Sequence, residues 1–217
     1  MELLHWFIDF VLHIDQHLVD MLAQYGTTVI FIIALIIFCE TGLVVTPILP
    51  GDSMLFAFGA LAANEATHLN IHFCFAVFVT AAFLGNQLNY SIGRFIGPKV
   101  FEMNFKLIKR EYLERTKKFF DQYGAITIIY TRFAPILRTF APFIAGVGQM
   151  KFPKFILYNF VGGFLWVLLF LYAGFFFGGF PIVKNNFEVI VLGIILVSLV
   201  PAVYGFVKMK TGKKEVE

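Results

Sequence analysis

Four ionisable side chains lie inside stretches of this 217-residue chain that are otherwise apolar: Glu40, Asp52, Arg132 and Arg138. A charged group at the centre of a bilayer costs about 2.5–3.5 kcal/mol on insertion scales, so four of them require partners or hydration. Since two are acids and two are bases, opposite-sign pairs form if their segments meet. The set could therefore lock two segments together, or bind an anion and exchange a proton.

The chemistry that these residue types would support is anion transport coupled to protons. Guanidinium groups stay charged and offer forked donors that suit phosphate, so Arg132 and Arg138 are predicted to bind a phosphate. A carboxylate in a low-dielectric environment takes up a proton more readily than one in water, so Glu40 and Asp52 are predicted to couple the site to protons. A structural ion-pair lock is the alternative, and it is compatible with transport.

Three polar residues near these charges are candidates for lining the same site: Ser53, Asn89 and Asn159. An amide inside a membrane helix usually hydrogen-bonds a neighbouring helix, which is the alternative role for Asn89 and Asn159. Asp52 or Ser53 could instead cap a helix that begins after Pro50, because both side chains accept backbone hydrogen bonds at helix starts.

The elements that position these residues must be embedded in a membrane. Hydrophobic residues make up 59% of the chain and charged residues 14%, whereas a soluble domain keeps about a quarter of its residues charged. The bilayer is therefore the solvent for much of one polytopic domain, 1–217. Cys39 and Cys74 lie in apolar runs and are interpreted as small hydrophobic residues. We predict an all-α integral membrane protein without a metal, a cofactor or a catalytic residue.

Two segments, 27–63 and 125–150, each consist of two apolar arms joined by a break. The arms that follow the breaks are shorter than the roughly 20 residues that a spanning helix needs. Pro50 and Gly51 interrupt the first segment and Pro135 interrupts the second, because proline and glycine break helices. Each segment is therefore predicted to be a re-entrant helical hairpin, which enters and leaves the membrane on the same side.

The remaining segments complete the predicted architecture. An amphipathic stretch, 1–26, is predicted to lie in the membrane interface as a helix. Three apolar segments are long enough to span the membrane, and two basic segments connect or follow them. The spans are 71–93, 155–180 and 187–207, and the basic segments are the loop 94–121 and the tail 208–217.

The distribution of charge orients these segments. Residues 1–93 carry seven acids and no Lys or Arg. Basic segments remain cytoplasmic, so the loop 94–121 and the C-terminus are predicted to be cytoplasmic. The spans 155–180 and 187–207 lie between this loop and the C-terminus, and two crossings leave both on the same side of the membrane. A third crossing by 125–150 would separate them, so the charge distribution supports the re-entrant interpretation of 125–150. The two hairpins then enter from opposite sides, as in transporters built from inverted repeats whose broken helices meet at the bilayer midplane.

Five motifs carry a resemblance that covers nearly the whole chain. They are Phe38-Cys-Glu40-Thr-Gly42, Leu49-Pro-Gly-Asp-Ser53, Asn89-Tyr-Ser-Ile-Gly-Arg94, Arg132-Phe-Ala-Pro-Ile-Leu-Arg138 with Phe140-Ala-Pro-Phe-Ile-Ala-Gly146, and the segment from Asn159 to Trp166. On these motifs the sequence resembles the DedA family of bacterial membrane proteins, related to the SNARE-associated/VTT group. The family's essential acids fall on Glu40 and Asp52, and its essential arginines fall on Arg132 and Arg138.

The resemblance implies a multi-pass protein of the bacterial inner membrane whose activity depends on the proton motive force. The expected function is a flippase for undecaprenyl phosphate or a similar anionic phospholipid. The alternatives are a proton-coupled small-ion antiporter that supports membrane homeostasis, and a phosphatidylethanolamine flippase or scramblase. The expected partners are membrane lipid and protons, without nucleic acid, and a homo-oligomer is left open. No histidine follows His72, so the arginine segment lacks a nearby histidine base and an enzyme is not predicted.

Overall fold

The computed structural model describes residues 14–43, 51–102 and 124–181, together with residues 183, 186, 187, 189, 190, 192 and 193. Within these ranges the regular structure is helical. The α-helices are α1 (Ile14–Tyr25), α2 (Val29–Gly42), α3 (Gly51–Ala62), α4 (Ile71–Glu102), α5 (Thr127–Thr131), α6 (Pro135–Val147) and α7 (Phe152–Phe177). The prediction of an all-α protein is confirmed for this part of the chain.

Three helical stretches are long and apolar enough to cross a membrane. They are His17–Gly42, Ile71–Ile96 and Phe152–Phe177, each of 26 residues. The second and third overlap the predicted spans 71–93 and 155–180. The first was not predicted as a span, and the predicted span 187–207 lies mostly outside the described residues. The chain thus has the helices of an integral membrane protein.

The first of these stretches joins two segments that the sequence analysis separated between residues 26 and 27. Gly26 has a φ of +57°, a left-handed conformation that glycine adopts without a Cβ penalty. A 3₁₀ turn, Gly26–Thr28, then carries the chain from α1 into α2. The interfacial helix over 1–26 stays a prediction, since residues 1–13 lie outside the described part of the chain.

Several other predicted features fall on residues that are not described. They are the break residue Pro50 within 44–50, most of the basic loop, over 103–121, and the tail 208–217. The first residues of the predicted loop, 94–102, are described, and they belong to α4, which continues to Glu102.

Helix breaks occur at both places where the sequence predicts them. Helix α2 ends at Gly42 and α3 begins at Gly51, while α5 ends at Thr131 and α6 begins at Pro135. Ala134 is extended, with φ −118° and ψ 112°, because the residue before a proline is pushed out of the helical region. Proline fits the start of α6, where its missing N–H removes no helical hydrogen bond. That each pair of arms turns back inside the bilayer stays a prediction.

Helices α1 to α4 form the first half of the described chain, and α5 to α7 form the second half. The arm that follows each break packs against the long helix of the other half. Helix α3 lies along α7, and α6 lies along α4. Gly59 and Gly174 let the first pair approach, since a Cβ at either position would collide with a carbonyl oxygen of the other helix. Gly93 and Gly146 do the same for the second pair. The two halves are therefore interlocked rather than placed side by side.

The main apolar core lies between α2, α3, α4 and α7. Its fully buried large side chains include Ile33, Ile37, Leu55, Phe58 and Phe78. A smaller cluster between α4, α5, α6 and α7 is centred on Tyr90, which stacks on Phe155 at a ring distance of 4.2 Å.

We expect Gly174→Ala to destabilise the protein by about 1–3 kcal/mol, as overpacking of a close helix contact does. The added methyl group would collide with the Phe56 carbonyl oxygen, which belongs to the backbone of α3 and has little freedom to move. Thermal unfolding in detergent measures the effect. Gly179→Ala is the matched control, because a Cβ at Gly179 meets nothing within 4 Å. Equal unfolding temperatures for the two variants would contradict the close contact between α3 and α7.

Candidate functional site

The guanidinium of Arg138 joins the two halves of the molecule. Nη1 donates to Asp52 Oδ1 at 2.5 Å, and Nη2 donates to Glu40 Oε1. All three residues are at most 5% exposed. Breaking such a buried arrangement leaves charges without partners, which is strongly unfavourable. The sequence predicted that acids of the first segment could pair with arginines of the second, and the structure brings both acids to a single arginine.

The backbone at the first break positions the two carboxylates. Glu40 lies in the last turn of α2, and Asp52 lies in the first turn of α3. The Gly51 N–H donates to Glu40 Oε1 at 3.2 Å. A Cβ at Gly51 would collide with the Glu40 carboxylate, so a larger residue here would displace that carboxylate from its present position. The hydrogen bonds of Asp52 go to the side chains of Arg138 and Trp166, not to the helix start that a cap would serve.

Arg132 is placed differently from Arg138. Its Nη2 donates to Asn159 Oδ1 at 2.7 Å and to the Ala82 carbonyl oxygen at 3.2 Å. The side chain lies across α7 at Gly162 and Gly163, where added Cβ atoms would approach it to 3.1–3.3 Å. Both acceptors are neutral, and among the described residues no carboxylate contacts this guanidinium. Arg132 is therefore a buried cation, 3% exposed, without a counter-ion in that part of the chain.

Buried amides connect the helices around the two arginines. Asn159 Nδ2 donates to the Phe83 carbonyl oxygen at 3.1 Å. Asn89 Nδ2 donates to the carbonyl oxygens of Thr41 and Thr139, at 3.1 and 2.7 Å, so it bridges α2 and α6. These are the interhelical hydrogen bonds that the sequence offered as the alternative to site lining.

Asn86, which the sequence analysis did not place in the site, lies beside Arg132. With its amide oriented to satisfy its neighbours, its oxygen accepts from Arg132 Nη2 at 2.7 Å and its nitrogen donates to the Thr41 carbonyl oxygen at 3.2 Å. Its position three residues before Asn89, on the same face of α4, is the signal that could have identified it.

Trp166 is a second residue that the sequence analysis missed. Trp166 Nε1 donates to Asp52 Oδ1 at 2.8 Å, and the indole ring lies 5.4 Å from Arg138 Cζ and 6.0 Å from Arg132 Cζ. Both arginines are within the range of cation–π attraction. Its spacing of two helical turns from Asn159 could have placed both residues on one face, because i and i+7 align on a helix.

The remaining predicted site residues contribute less. Ser53 is fully buried, and its hydroxyl has no hydrogen-bond partner among the residues described. Pro135 begins α6, and Pro50 lies outside the described residues. Within the described ranges no group of three His, Cys, Asp or Glu side chains could hold a metal ion.

A narrow cleft runs between the two arginines. It is lined by Thr41, Asn86, Arg132, Arg138 and Trp166, and it is too narrow to hold a water molecule. Such a site, with one paired and one unpaired arginine, can hold an anion only after it opens. Protonation or displacement of a carboxylate would loosen it, because the carboxylates hold Arg138 through charge.

Sequence comparison places the chain among known membrane proteins. The VTT domain matches residues 49–176. Protein DedA of Escherichia coli K12 is 50% identical over 211 residues, which cover 97% of this chain and 96% of that protein. An uncharacterized membrane protein of Mycobacterium tuberculosis is 43% identical, covering 82% and 78%. Inner membrane protein YghB of E. coli K12 is 30% identical, covering 83% and 79%. No solved structure matches the chain.

Proposed function

The chain belongs to the DedA family of membrane proteins, which carry the VTT domain, and on that premise we propose that it is a lipid transporter driven by the proton motive force. Its substrate is undecaprenyl phosphate or a similar anionic phospholipid, which it moves between the leaflets of a bacterial inner membrane. The phosphate binds at the two arginines, and the two carboxylates couple its movement to protons.

The observation that carries this proposal is the unequal pairing of the two arginines. Arg138 is held by Glu40 and Asp52, while Arg132 is held by neutral oxygens alone within the described part of the chain. A buried cation without a counter-ion attracts an anion strongly, because the low dielectric weakens screening. A lipid phosphate that enters the cleft would first meet Arg132 and then compete with the carboxylates for Arg138.

Glu40 is the carboxylate best placed to receive the proton. Its Oε2 is buried and has no hydrogen-bond partner among the described residues, while Oε1 accepts from Gly51 and Arg138. A buried acceptor left without a donor is costly. Adding a proton would reduce the charge that holds Arg138 as a phosphate arrives, and losing it would restore the closed ion-paired site.

We further propose the membrane arrangement that this cycle needs. The segments 27–63 and 125–150 are re-entrant hairpins that enter from opposite sides, and the C-terminus is cytoplasmic. The helix breaks before Gly51 and Pro135 support this arrangement. So does the packing of α3 along α7 and of α6 along α4, which pairs each arm with the long helix of the other segment. The basic segments support the cytoplasmic position of the C-terminus. A site at the meeting point of the breaks can open to either leaflet as the hairpins move.

The test is return of undecaprenyl phosphate across the bilayer of proteoliposomes, with a pH gradient imposed. We expect Arg132→Gln to slow this movement by about a hundredfold, equal to about 2.7 kcal/mol of lost stabilisation, because it removes the unpaired cation. Lys154→Gln, at an exposed position near the start of α7, is the matched control and should keep the wild-type rate. Equal rates for both variants would reject the proposed binding site. Ion movement without any lipid dependence would instead favour the small-ion antiporter.

A further inference from the structure

The groups that accept hydrogen bonds from the guanidinium of Arg132 are neutral, and the charged side chain that shares its cleft is Arg138. Arg132 Nη2 donates to Asn159 Oδ1 at 2.7 Å and to the Ala82 carbonyl oxygen at 3.2 Å, and the side-chain amide of Asn86 is its third neutral neighbour. Whichever way the Asn86 amide is oriented, one of its two terminal atoms lies 2.7 Å from Nη2 of Arg132. A carboxylate at this position would therefore lie within the distance of a charge-assisted hydrogen bond to Arg132.

The same surroundings bear on which head group the site can accept. A phosphate monoester brings negative charge alone, and Arg132 can balance one unit of it. A phosphoethanolamine head group also brings an ammonium, which needs a carboxylate of its own when it leaves water. In the closed site both described carboxylates, Glu40 and Asp52, are bound to Arg138, so neither is free when a head group first meets Arg132.

We infer that Asn86 is the residue that determines the charge of the transported head group. Its neutral amide keeps Arg132 open to an anion, so the site selects a phosphate monoester over a zwitterionic head group. This inference rests on the proposed function, and it adds the substrate class and the residue that sets it. A carboxylate at position 86 would occupy Arg132 and would have to be protonated before a phosphate could bind.

The test compares Asn86→Asp with Gln87→Glu in the full-length protein, reconstituted in phosphatidylcholine nanodiscs. Both variants replace an amide by a carboxylate on α4, and Gln87 makes no described contact with either arginine. The probes are dioleoyl phosphatidic acid as a lipid phosphate monoester, phosphatidylethanolamine, and inorganic phosphate. Binding is followed by the fluorescence of Trp166, whose ring lies 6.0 Å from Arg132 Cζ, with Trp6→Phe present throughout to remove the second tryptophan.

The wild type is expected to bind phosphatidic acid at least about tenfold more tightly than phosphatidylethanolamine. At neutral pH Asn86→Asp should lose about tenfold or more of its affinity for phosphatidic acid, and it should recover that affinity as the pH falls and the new carboxylate is protonated. Gln87→Glu should keep the wild-type preference. If inorganic phosphate binds as tightly as phosphatidic acid, the ligand is a free phosphate rather than a lipid.

Three outcomes decide between this inference and the proposed function. A wild type that binds no lipid head group and moves none rejects the proposed function itself. A wild type that transports lipid, but whose Asn86→Asp variant binds phosphatidic acid unchanged at every pH, rejects the inference alone. If Asn86→Asp does not fold, Asn159→Asp replaces it, because Asn159 Oδ1 lies at the same 2.7 Å from Arg132; unchanged binding by that variant also rejects the inference.

Discussion

Replacing Arg138 by leucine is expected to lower the free energy of unfolding by about 3–5 kcal/mol. The change leaves the carboxylates of Glu40 and Asp52 buried and close together, with the partner of both removed. The hydrogen bonds from Gly51 to Glu40 and from Trp166 to Asp52 remain, but neutral donors do not balance two charges. Denaturant unfolding in detergent micelles, followed by tryptophan fluorescence, measures the loss.

Two further variants separate charge from packing in this prediction. Combining Arg138→Leu with Glu40→Gln and Asp52→Asn removes all three charges, and we expect it to recover most of the lost stability without transporting lipid. Arg132→Leu should be neutral or stabilising, because it removes a buried cation that has no described counter-ion. An Arg132 variant as unstable as Arg138→Leu would show that the two arginines share the structural role.

The second large effect is expected for Glu40→Gln, which should uncouple transport from the pH gradient. The amide has nearly the shape of the carboxylate and still accepts from the Gly51 N–H, but it cannot carry a proton. Arg138 keeps its bond to Asp52, so folding should survive. Under an imposed gradient we expect the rate of lipid movement to fall by about tenfold or more.

The measurement for Glu40→Gln compares proteoliposomes with and without a gradient. The wild type should move lipid faster with the gradient, whereas the variant should show one slow rate under both conditions. Glu65→Gln, at an exposed position in the 3₁₀ turn Glu65–Thr67, is the control for loss of an acid. A variant that still responds to the gradient would assign proton coupling to Asp52 or to another group.

Part of this site could be predicted because burying charge in a bilayer is so costly. The energetic cost alone indicated that Glu40, Asp52, Arg132 and Arg138 must find partners. The breaks in the two apolar runs then indicated which segments carry these residues. The spanning helices α4 and α7 were equally clear from hydropathy, since a run of apolar residues longer than a core helix has few other interpretations.

The pairing within the site could not be predicted, because it depends on distances that the sequence does not contain. Arg132 and Arg138 lie six residues apart on opposite sides of a helix break, and either could have met either acid. The choice follows from the helix that each arginine faces. Arg138 lies in α6 and reaches the first break, while Arg132 lies flat against Gly162 and Gly163 of α7.

The continuity of α1 and α2 was missed for a different reason. A glycine after an amphipathic stretch usually ends a helix in the left-handed conformation, and Gly26 does adopt it. The 3₁₀ turn that follows nevertheless restarts the helix within three residues. Local sequence signals the end of α1 correctly, but the direction in which the chain resumes is set by packing of α1 and α2 against the rest of the fold.

The distance along the chain between the two acids and Arg138 has a consequence for biosynthesis. Asp52 and Glu40 precede Arg138 by 86 and 98 residues, which a ribosome adds in roughly 5–20 seconds. During that interval the first half of the protein has two carboxylates whose partner does not yet exist. We therefore expect the nascent segment to keep these groups within reach of water and to complete its insertion only after Arg138 has been synthesised.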